Sequence, residues 1–220
     1  MASRSLPDRL AAVAALDDPV RRAVFDLIAR SGEPMGRDAT AEALGISRRV
    51  AALHLDRLAE QGLLEFEFRR PPGRGGPGAG RPAKLYRRAG DEVTVSVPER
   101  HYDVVGELLA AAVSESITTG TAVQEVLHRK AYDYGRDTGA HATDVESALE
   151  SVGYEPRRDP SGAVDLHNCP FHRLARQYTD LVCGVNLDLL RGVTDGTGDS
   201  TLHPILAPRP GHCCVRLLPA

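Results

Sequence analysis

Four cysteines are the residues of this chain with the clearest chemical potential. Cys169 and Cys183 lie in the segment NCPFHRLARQYTDLVCG, and Cys213 and Cys214 lie in PGHCCVRL near the C-terminus. The 220-residue chain has no other cysteine, and histidines accompany these four. In a reducing compartment, clustered thiols are more often metal ligands or redox groups than disulfides.

The surroundings of Cys169 predict a reactive thiol. Pro170 follows it, and proline is favoured in the first turn of a helix. We therefore expect Cys169 at a helix N-terminus, where free N–H groups and the helix dipole lower the pKa of a thiol. One unbroken helix would place Cys183 about 21 Å away. A break within QYTDLV, with Thr179 or Asp180 as the cap of a new helix over about 181–191, would bring the two thiols together.

The last two thiols are expected on a terminal strand, HCCVRL. Adjacent residues of a strand point to opposite faces, so only one of Cys213 and Cys214 is expected to join the site. A hairpin is predicted before Cys169, with its turn over 159–162, because Asp, Pro, Ser and Gly follow one another there.

Basic residues are concentrated in one short segment of a chain whose net charge is −3. Between Arg69 and Arg88 there are seven basic residues and no acidic one. Such a strip on a mildly acidic protein indicates contact with a polyanion through one element.

The residues before this strip predict a helix-turn-helix. Apolar spacing indicates a helix over about 37–44, a turn at Gly45, and a longer helix over about 47–61 with Ser47 as its N-cap. Alternating strands, LLEFEFRR and KLYRRA, then flank the loop PPGRGGPGAGRPA, which is too rich in Pro and Gly for either element. This order is typical of a winged helix that binds DNA.

Arg48 and Arg49 lie in the first turn of the second helix, where side chains reach base edges in the major groove. Arg74 and Arg81 lie in the loop and could neutralise phosphates or enter the minor groove. His54 fits packing or a phosphate contact better than base recognition. The candidate DNA-binding residues are Ser47, Arg48, Arg49, His54, Arg57, Arg74, Arg81 and Lys84.

GISRRVAALHLDRLAEQGLL followed by GRPAKLYRR resembles the winged-helix transcription regulators of the ArsR-like class. VTVSVPERHYDVVGELLAAAV resembles the linker and first dimerisation helix of the branch that includes the repressors of iron–sulfur cluster assembly operons, the SufR type. This resemblance implies a repressor with a [4Fe–4S] cluster on Cys169, Cys183 and Cys213. It leaves a fourth ligand open, and the candidates are Cys214, His172, His203, His212 and His167.

Two alternatives to the cluster are compatible with the residues. Cys169 and His172, with Cys183 and Cys213, could form a tetrahedral zinc site. The cysteines could instead be buried small hydrophobes, or a thiol pair that is oxidised directly. A thiol-dependent enzyme is a third possibility, but no phosphate loop, oxyanion-hole motif or paired carboxylate site accompanies the thiols, so we predict no enzyme.

Two amphipathic helices are predicted between these regions, over about 99–117 and 122–140. They could form a homodimer on a palindromic operator, or pack only on their own C-terminal domain. The expected α+β organisation is a winged-helix domain over 1–92, a linker and dimerisation helices over 93–145, and a C-terminal sensor domain over 146–220. No apolar run is long enough to cross a membrane, and a cytoplasmic protein is expected.

Overall fold

The computed structural model describes residues 5–70 and 82–220. The chain divides into two units, Met1–Val95 and Ser96–Ala220. Each unit has its own hydrophobic core. The predicted α+β class is confirmed, because helices and antiparallel sheets occur in both units.

The first unit contains the predicted helix-turn-helix. Its elements are α1 (Leu6–Ala15), α2 (Pro19–Arg30), β1 (Met35–Gly36), α3 (Arg37–Leu44), α4 (Arg48–Glu60), β2 (Leu64–Arg69) and β3 (Ala83–Arg88). Ser47 caps α4 as predicted, since its hydroxyl accepts a hydrogen bond from Val50 N–H at 3.2 Å. Gly45 ends α3 with a φ of 64°, which glycine adopts without strain.

A small antiparallel sheet completes this unit in the order β1-β3-β2. Phe66 on β2 pairs with Tyr86 on β3, and Met35 on β1 pairs with Tyr86 from the other side. The N-terminal winged helix-turn-helix is thereby confirmed. The two-residue β1 was not predicted, because so short a strand produces no alternating pattern.

The second unit contains α5 (Tyr102–Thr119), α6 (Val123–Ala140), α7 (Val145–Ser151), β4 (Pro156–Arg158), β5 (Val164–Leu166), α8 (His172–Gln177), α9 (Thr179–Thr197), β6 (Leu202–Leu206) and β7 (Val215–Pro219). Its antiparallel sheet has the order β4-β5-β7-β6. The predicted hairpin over 159–162 is confirmed, with Asp159 N–H donating to Ala163 O at 2.8 Å.

Helices α6 and α9 pack side by side through glycines. A Cβ on Gly135 or Gly139 of α6 would overlap backbone atoms of α9, and a Cβ on Gly192 or Gly196 of α9 would overlap backbone atoms of α6. Higher numbers on α6 meet higher numbers on α9, so the two helices are parallel. The middle helices thus share one core with the segment that carries the cysteines.

Three local expectations about the cysteine segment are corrected. Cys169 lies three residues before α8, which begins at His172 with Phe171 as its N-cap. The expected break is present between α8 and α9, but Tyr178 rather than Thr179 or Asp180 is the N-cap of α9. The terminal strand β7 begins at Val215, so neither Cys213 nor Cys214 lies on it.

Candidate nucleic-acid interface and cysteine site

The exposed face of α4 carries the arginines predicted to contact DNA. Ala51, Leu55 and Leu58 of α4 are completely buried. Arg48 and Arg49 are exposed at the N-terminal end of the same helix. An exposed face with positive charge in its first turn can approach a duplex without disturbing the core.

Arg48 is already paired within the protein. Its Nε lies 2.5 Å from Asp38 Oδ1 on α3, and both side chains are largely exposed to solvent. Arg57, near the other end of α4, pairs with Glu60 at 3.1 Å. Binding of a phosphate by either arginine would therefore replace an existing carboxylate partner.

Ser47 and His54 have other neighbours in the structure. The hydroxyl of Ser47 is occupied as the cap of α4. His54 is half-buried near Asp18, where the hydrogen bond from Arg21 N–H and, less strongly, the nearby His54 lower the pKa of the Asp18 carboxyl. The Nδ1 atom of His54 is buried and has no hydrogen-bond partner among residues 5–70 and 82–220. This position fits packing better than contact with DNA.

Asp56 joins α4 to the wing strand β3. Its carboxylate accepts hydrogen bonds from Lys84 Nζ at 2.5 Å and from Tyr86 Oη at 2.6 Å. Although burial opposes it, these two hydrogen bonds lower the pKa of Asp56, and burial together with Asp56 raises the pKa of Tyr86. Lys84 also lies 4.0 Å from the centre of the Phe66 ring. The Lys84 side chain was predicted as a DNA contact. In the structure it connects the wing strand β3 to α4 through its hydrogen bond to Asp56.

A cleft lies between α3, α4 and the wing strands, and its lining includes Arg37, Arg48 and Lys84. Arg37 is exposed and was not among the predicted DNA-binding residues. Arg37 lies in the first turn of α3, the shorter helix, and no pattern in the sequence marked it as a possible DNA contact. Arg74 and Arg81 lie outside the described residues.

The structure brings all four thiols together from three segments of the chain. Cys169 and Cys213 share a hydrogen bond, Cys213 interacts with Cys214, and Cys214 interacts with Cys183. All four are free, and only Cys214 is not fully buried. We call these four residues the four-cysteine site.

Both terminal cysteines reach this site, contrary to the expectation of one. Strand β7 begins at Val215, so Cys213 and Cys214 lie in the loop before it rather than on opposite faces of a strand. The Cys213 N–H donates to Leu166 O at 2.8 Å, and Ala207 N–H donates to Cys214 O at 2.8 Å. These bonds fix the loop against β5 and the end of β6.

The thiols differ in their tendency to ionise. The hydrogen bond from Cys213 lowers the pKa of Cys169, and the Phe171 N–H also favours its thiolate, against the effect of burial. The same interaction with Cys169 raises the pKa of Cys213 to about 12, and burial raises the pKa of Cys183 to about 12. Hydrogen bonding to Cys213, with burial, also raises the pKa of Cys214. Of the four thiols, Cys169 thus loses its proton most readily.

A buried amide lies against the terminal thiols. Asn186 of α9 is only 1% exposed, and its Nδ2 lies 3.1 Å from Cys213 Sγ and 3.9 Å from Cys214 Sγ. Its Oδ1 accepts a hydrogen bond from the Tyr154 hydroxyl. Because the hydroxyl must donate to Oδ1, the amide N–H groups face the sulfur atoms. Asn186 could not be identified from the sequence, because its partners are distant along the chain.

The histidines proposed as a fourth ligand lie differently. The His167 and His212 rings are 4.6 Å apart, whereas His172 and His203 are exposed. Within residues 5–70 and 82–220, no group of three or more His, Cys, Asp or Glu side chains is placed to hold a single metal ion.

The family comparison concerns the first unit. A family described as a helix-turn-helix domain matches residues 16–65. A solved structure from Mycobacterium bovis, described as the homodimeric winged helix-turn-helix DNA-binding domain of a possible ArsR-family transcriptional regulator, is 23% identical. That match covers 55% of this chain and 96% of the other, with a TM-score of 0.30. No curated protein matches. Among the described residues, no helix is long and apolar enough to cross a membrane.

Proposed function

We propose that this chain is an ArsR-like transcription regulator, a repressor that binds double-stranded operator DNA as a homodimer. A redox-sensitive [4Fe–4S] cluster in the four-cysteine site controls its affinity for DNA. The protein is a sensor and not an enzyme.

The DNA-binding half of this proposal is supported by the match of residues 16–65 to a helix-turn-helix domain. The winged-helix arrangement, with Arg48 and Arg49 exposed in the first turn of α4, supplies positive charge where such helices meet the major groove. A homodimer is part of the proposal because helix-turn-helix proteins usually bind two-fold symmetric sites as dimers.

The observation that carries the sensor half is the convergence of four thiols from three separate segments. Their chemistry fits an iron–sulfur cluster, because each iron of a [4Fe–4S] cluster takes one cysteine thiolate. The Asn186 amide fits as well, since hydrogen bonds to sulfur tune such centres. When bound, the cluster would supply an electron-transfer centre that oxidants can attack.

The residues of the chain divide the work. Cys169, Cys183 and Cys213 would hold the cluster, and Cys214 is the best placed of the candidates for the fourth position, because it contacts both Cys183 and Cys213. Asn186 and Tyr154 would orient the terminal thiols. The largely buried site would limit access of water to the ligands.

A thiol-based regulator without a cluster is a second candidate. It is favoured by the direct hydrogen bond between Cys169 and Cys213 and by the lowered pKa of Cys169. Oxidation of two adjacent thiols to a disulfide would then be the regulatory event, with a peroxide as the electron acceptor.

Anaerobic purification followed by iron, sulfide and zinc analysis separates these candidates. The proposal predicts four irons and four sulfides per chain and a brown protein. A colourless protein with one zinc, or with no metal at all, would refute the cluster.

A further inference from the structure

A second network of contacts joins the loop of Cys169 to the beginning of the second unit. Asn168 is 5% exposed and precedes Cys169 directly. Its Nδ2 donates to Glu99 O at 2.8 Å and to Gly153 O at 2.7 Å, and its Oδ1 accepts a hydrogen bond from Arg100 Nη1. Every polar group of this buried side chain therefore has a partner.

The Arg100 side chain also contacts the backbone of the Cys169 loop. Its Nη1 also donates to Cys169 O at 3.3 Å and to Glu99 O at 3.0 Å. The Arg100 N–H donates to Ser96 Oγ at 2.8 Å. One guanidinium thus connects a backbone atom of Cys169 with the segment that begins at Ser96.

Further contacts run parallel to these. His101 N–H donates to Pro170 O at 3.3 Å, and Arg173 N–H donates to the Tyr102 hydroxyl at 3.4 Å. The Arg173 guanidinium lies 5.5 Å from the centre of the Tyr102 ring. Gly153 has a φ of 83°, and a Cβ there would lie 2.6 Å from His101 Cδ2. The segment 96–102 is therefore packed along residues 168–173.

The segment 96–102 lies directly after the boundary between the two units. The first unit ends at Val95, and the second begins at Ser96. Residues 96–101 are thus the part of the second unit that leads from the end of the first unit into α5, which begins at Tyr102. The Cys169 loop contacts this segment through Asn168 and Arg100 as well as through Pro170 and Arg173.

We propose that Asn168 and Arg100 are positioning residues that couple the state of Cys169 to the connecting segment 96–102. When the Cys169 loop is ordered, its hydrogen bonds keep residues 96–102 in place. When the loop loses its order, these hydrogen bonds are lost and residues 96–102 become more mobile. Insofar as this coupling controls DNA affinity, it rests on the proposed function.

Amide hydrogen exchange on protein stripped of metal tests the coupling by itself. Arg100→Gln removes a charged donor, and the loss of hydrogen bonds to a charged group predicts exchange over 96–102 that is about tenfold faster. Alkylation of Cys169, followed by peptide mass spectrometry, should accelerate by a similar factor. Faster exchange over 96–102 with unchanged alkylation of Cys169 would overturn the proposal.

Two further variants keep this test specific. Arg100→Lys retains the charge and one nitrogen that donates hydrogen bonds, and it should restore most of the protection. Arg158→Gln removes an arginine of the same unit whose hydrogen bonds go to Glu146 and to the Gly162 carbonyl, which belong to neither segment. It should change neither rate, and an equal effect from Arg158→Gln would show general loosening of the unit and so contradict the coupling.

A second experiment measures the effect of the coupling on DNA affinity. The ratio of DNA affinities of the loaded and stripped wild-type protein is compared with the same ratio for Arg100→Gln, after iron and sulfide are shown to be equal. The ratio should fall to about twofold or less in the variant, and an undiminished ratio would overturn the role of the coupling in regulation. A wild-type ratio of one would refute the proposed function, while the exchange experiment would still decide the coupling.

Discussion

Gly135 of α6 lies directly against Leu189 of α9, so that a Cβ on Gly135 would overlap the Leu189 carbonyl group. Gly192 of α9 makes the reciprocal approach to Tyr132 of α6. The two helices are in backbone contact, as helices can be only where small residues face one another. Since α9 carries Cys183 and Asn186, this contact positions one side of the four-cysteine site.

Gly135→Ala should destabilise the second unit by about 1–3 kcal/mol or more, because neither backbone can move without disturbing the core. Urea unfolding of the full chain measures the change. Gly106→Ala is the matched control, since Gly106 is exposed on the outer side of α5 with nothing within 4 Å of the added Cβ. It should stabilise the protein by about 0.5–1 kcal/mol through helix propensity. Equal effects of the two changes would contradict the described packing.

Asp38→Asn should strengthen DNA binding. Asp38 pairs with Arg48 at 2.5 Å, and a DNA phosphate or base must compete with this carboxylate. We expect a gain of severalfold at low ionic strength that diminishes as salt screens the charges. Fluorescence anisotropy with a labelled duplex gives the affinity. Glu60→Gln changes the net charge equally and should have the smaller effect, and the reverse order would place Asp38 away from the interface.

Arg49→Ala should reduce both the affinity for DNA and its dependence on salt. Each arginine that neutralises one phosphate contributes about one unit to the slope of log affinity against log salt. Titrations at several salt concentrations measure this slope. Arg30→Ala removes an exposed arginine at the end of α2 and serves as the control. A slope that is the same for Arg49→Ala and the wild type would exclude a phosphate contact.

The ion pair between Asp56 and Lys84 predicts a specific pH dependence of the stability of the first unit. Because the pKa of Asp56 is lowered in the folded protein, its stabilising effect is complete above the unfolded pKa of about 3.9 and is lost as the pH falls through the folded value. The difference in free energy of unfolding between wild type and Asp56→Asn should therefore be constant near neutral pH and shrink below about pH 4. A difference that grows on acidification would contradict this assignment.

The two terminal thiols can be distinguished by substitution. Cys213→Ser removes the partner of both Cys169 and Asn186, whereas Cys214→Ser removes the contact with Cys183. Loss of iron is expected to be complete for Cys213→Ser and partial for Cys214→Ser, as read from the visible spectrum and iron content. Full retention of iron by Cys213→Ser would remove Cys213 from the ligand set.

The winged helix could be predicted because its signals are local. Ser47 and Gly62 mark the ends of α4, and the 3.6-residue repeat of Ala51, Leu55 and Leu58 identifies its buried face. The hairpin before Cys169 was equally predictable, because its turn residues determine its shape.

The four-cysteine site was only partly predictable, because its geometry depends on contacts between distant segments. Cys213 and Cys214 looked like strand residues, yet their loop is held by a bond to Leu166 O, a partner that no local pattern reveals. Asn186 lies on the apolar side of α9, and only the fold shows that Tyr154 and the thiols occupy its hydrogen-bonding groups. The close approach of α6 and α9 was likewise missed, since spaced glycines in helices have several meanings.

The affinity for DNA of one anaerobic preparation, before and after removal of its cluster, tests the central claim most directly. A duplex selected from a random pool is titrated by anisotropy, with iron and sulfide determined on the same samples. The account predicts four irons and four sulfides per chain at the start, and a change in affinity of about tenfold or more on their loss. A preparation that binds the duplex equally well with and without iron would contradict a regulator controlled by its four-cysteine site.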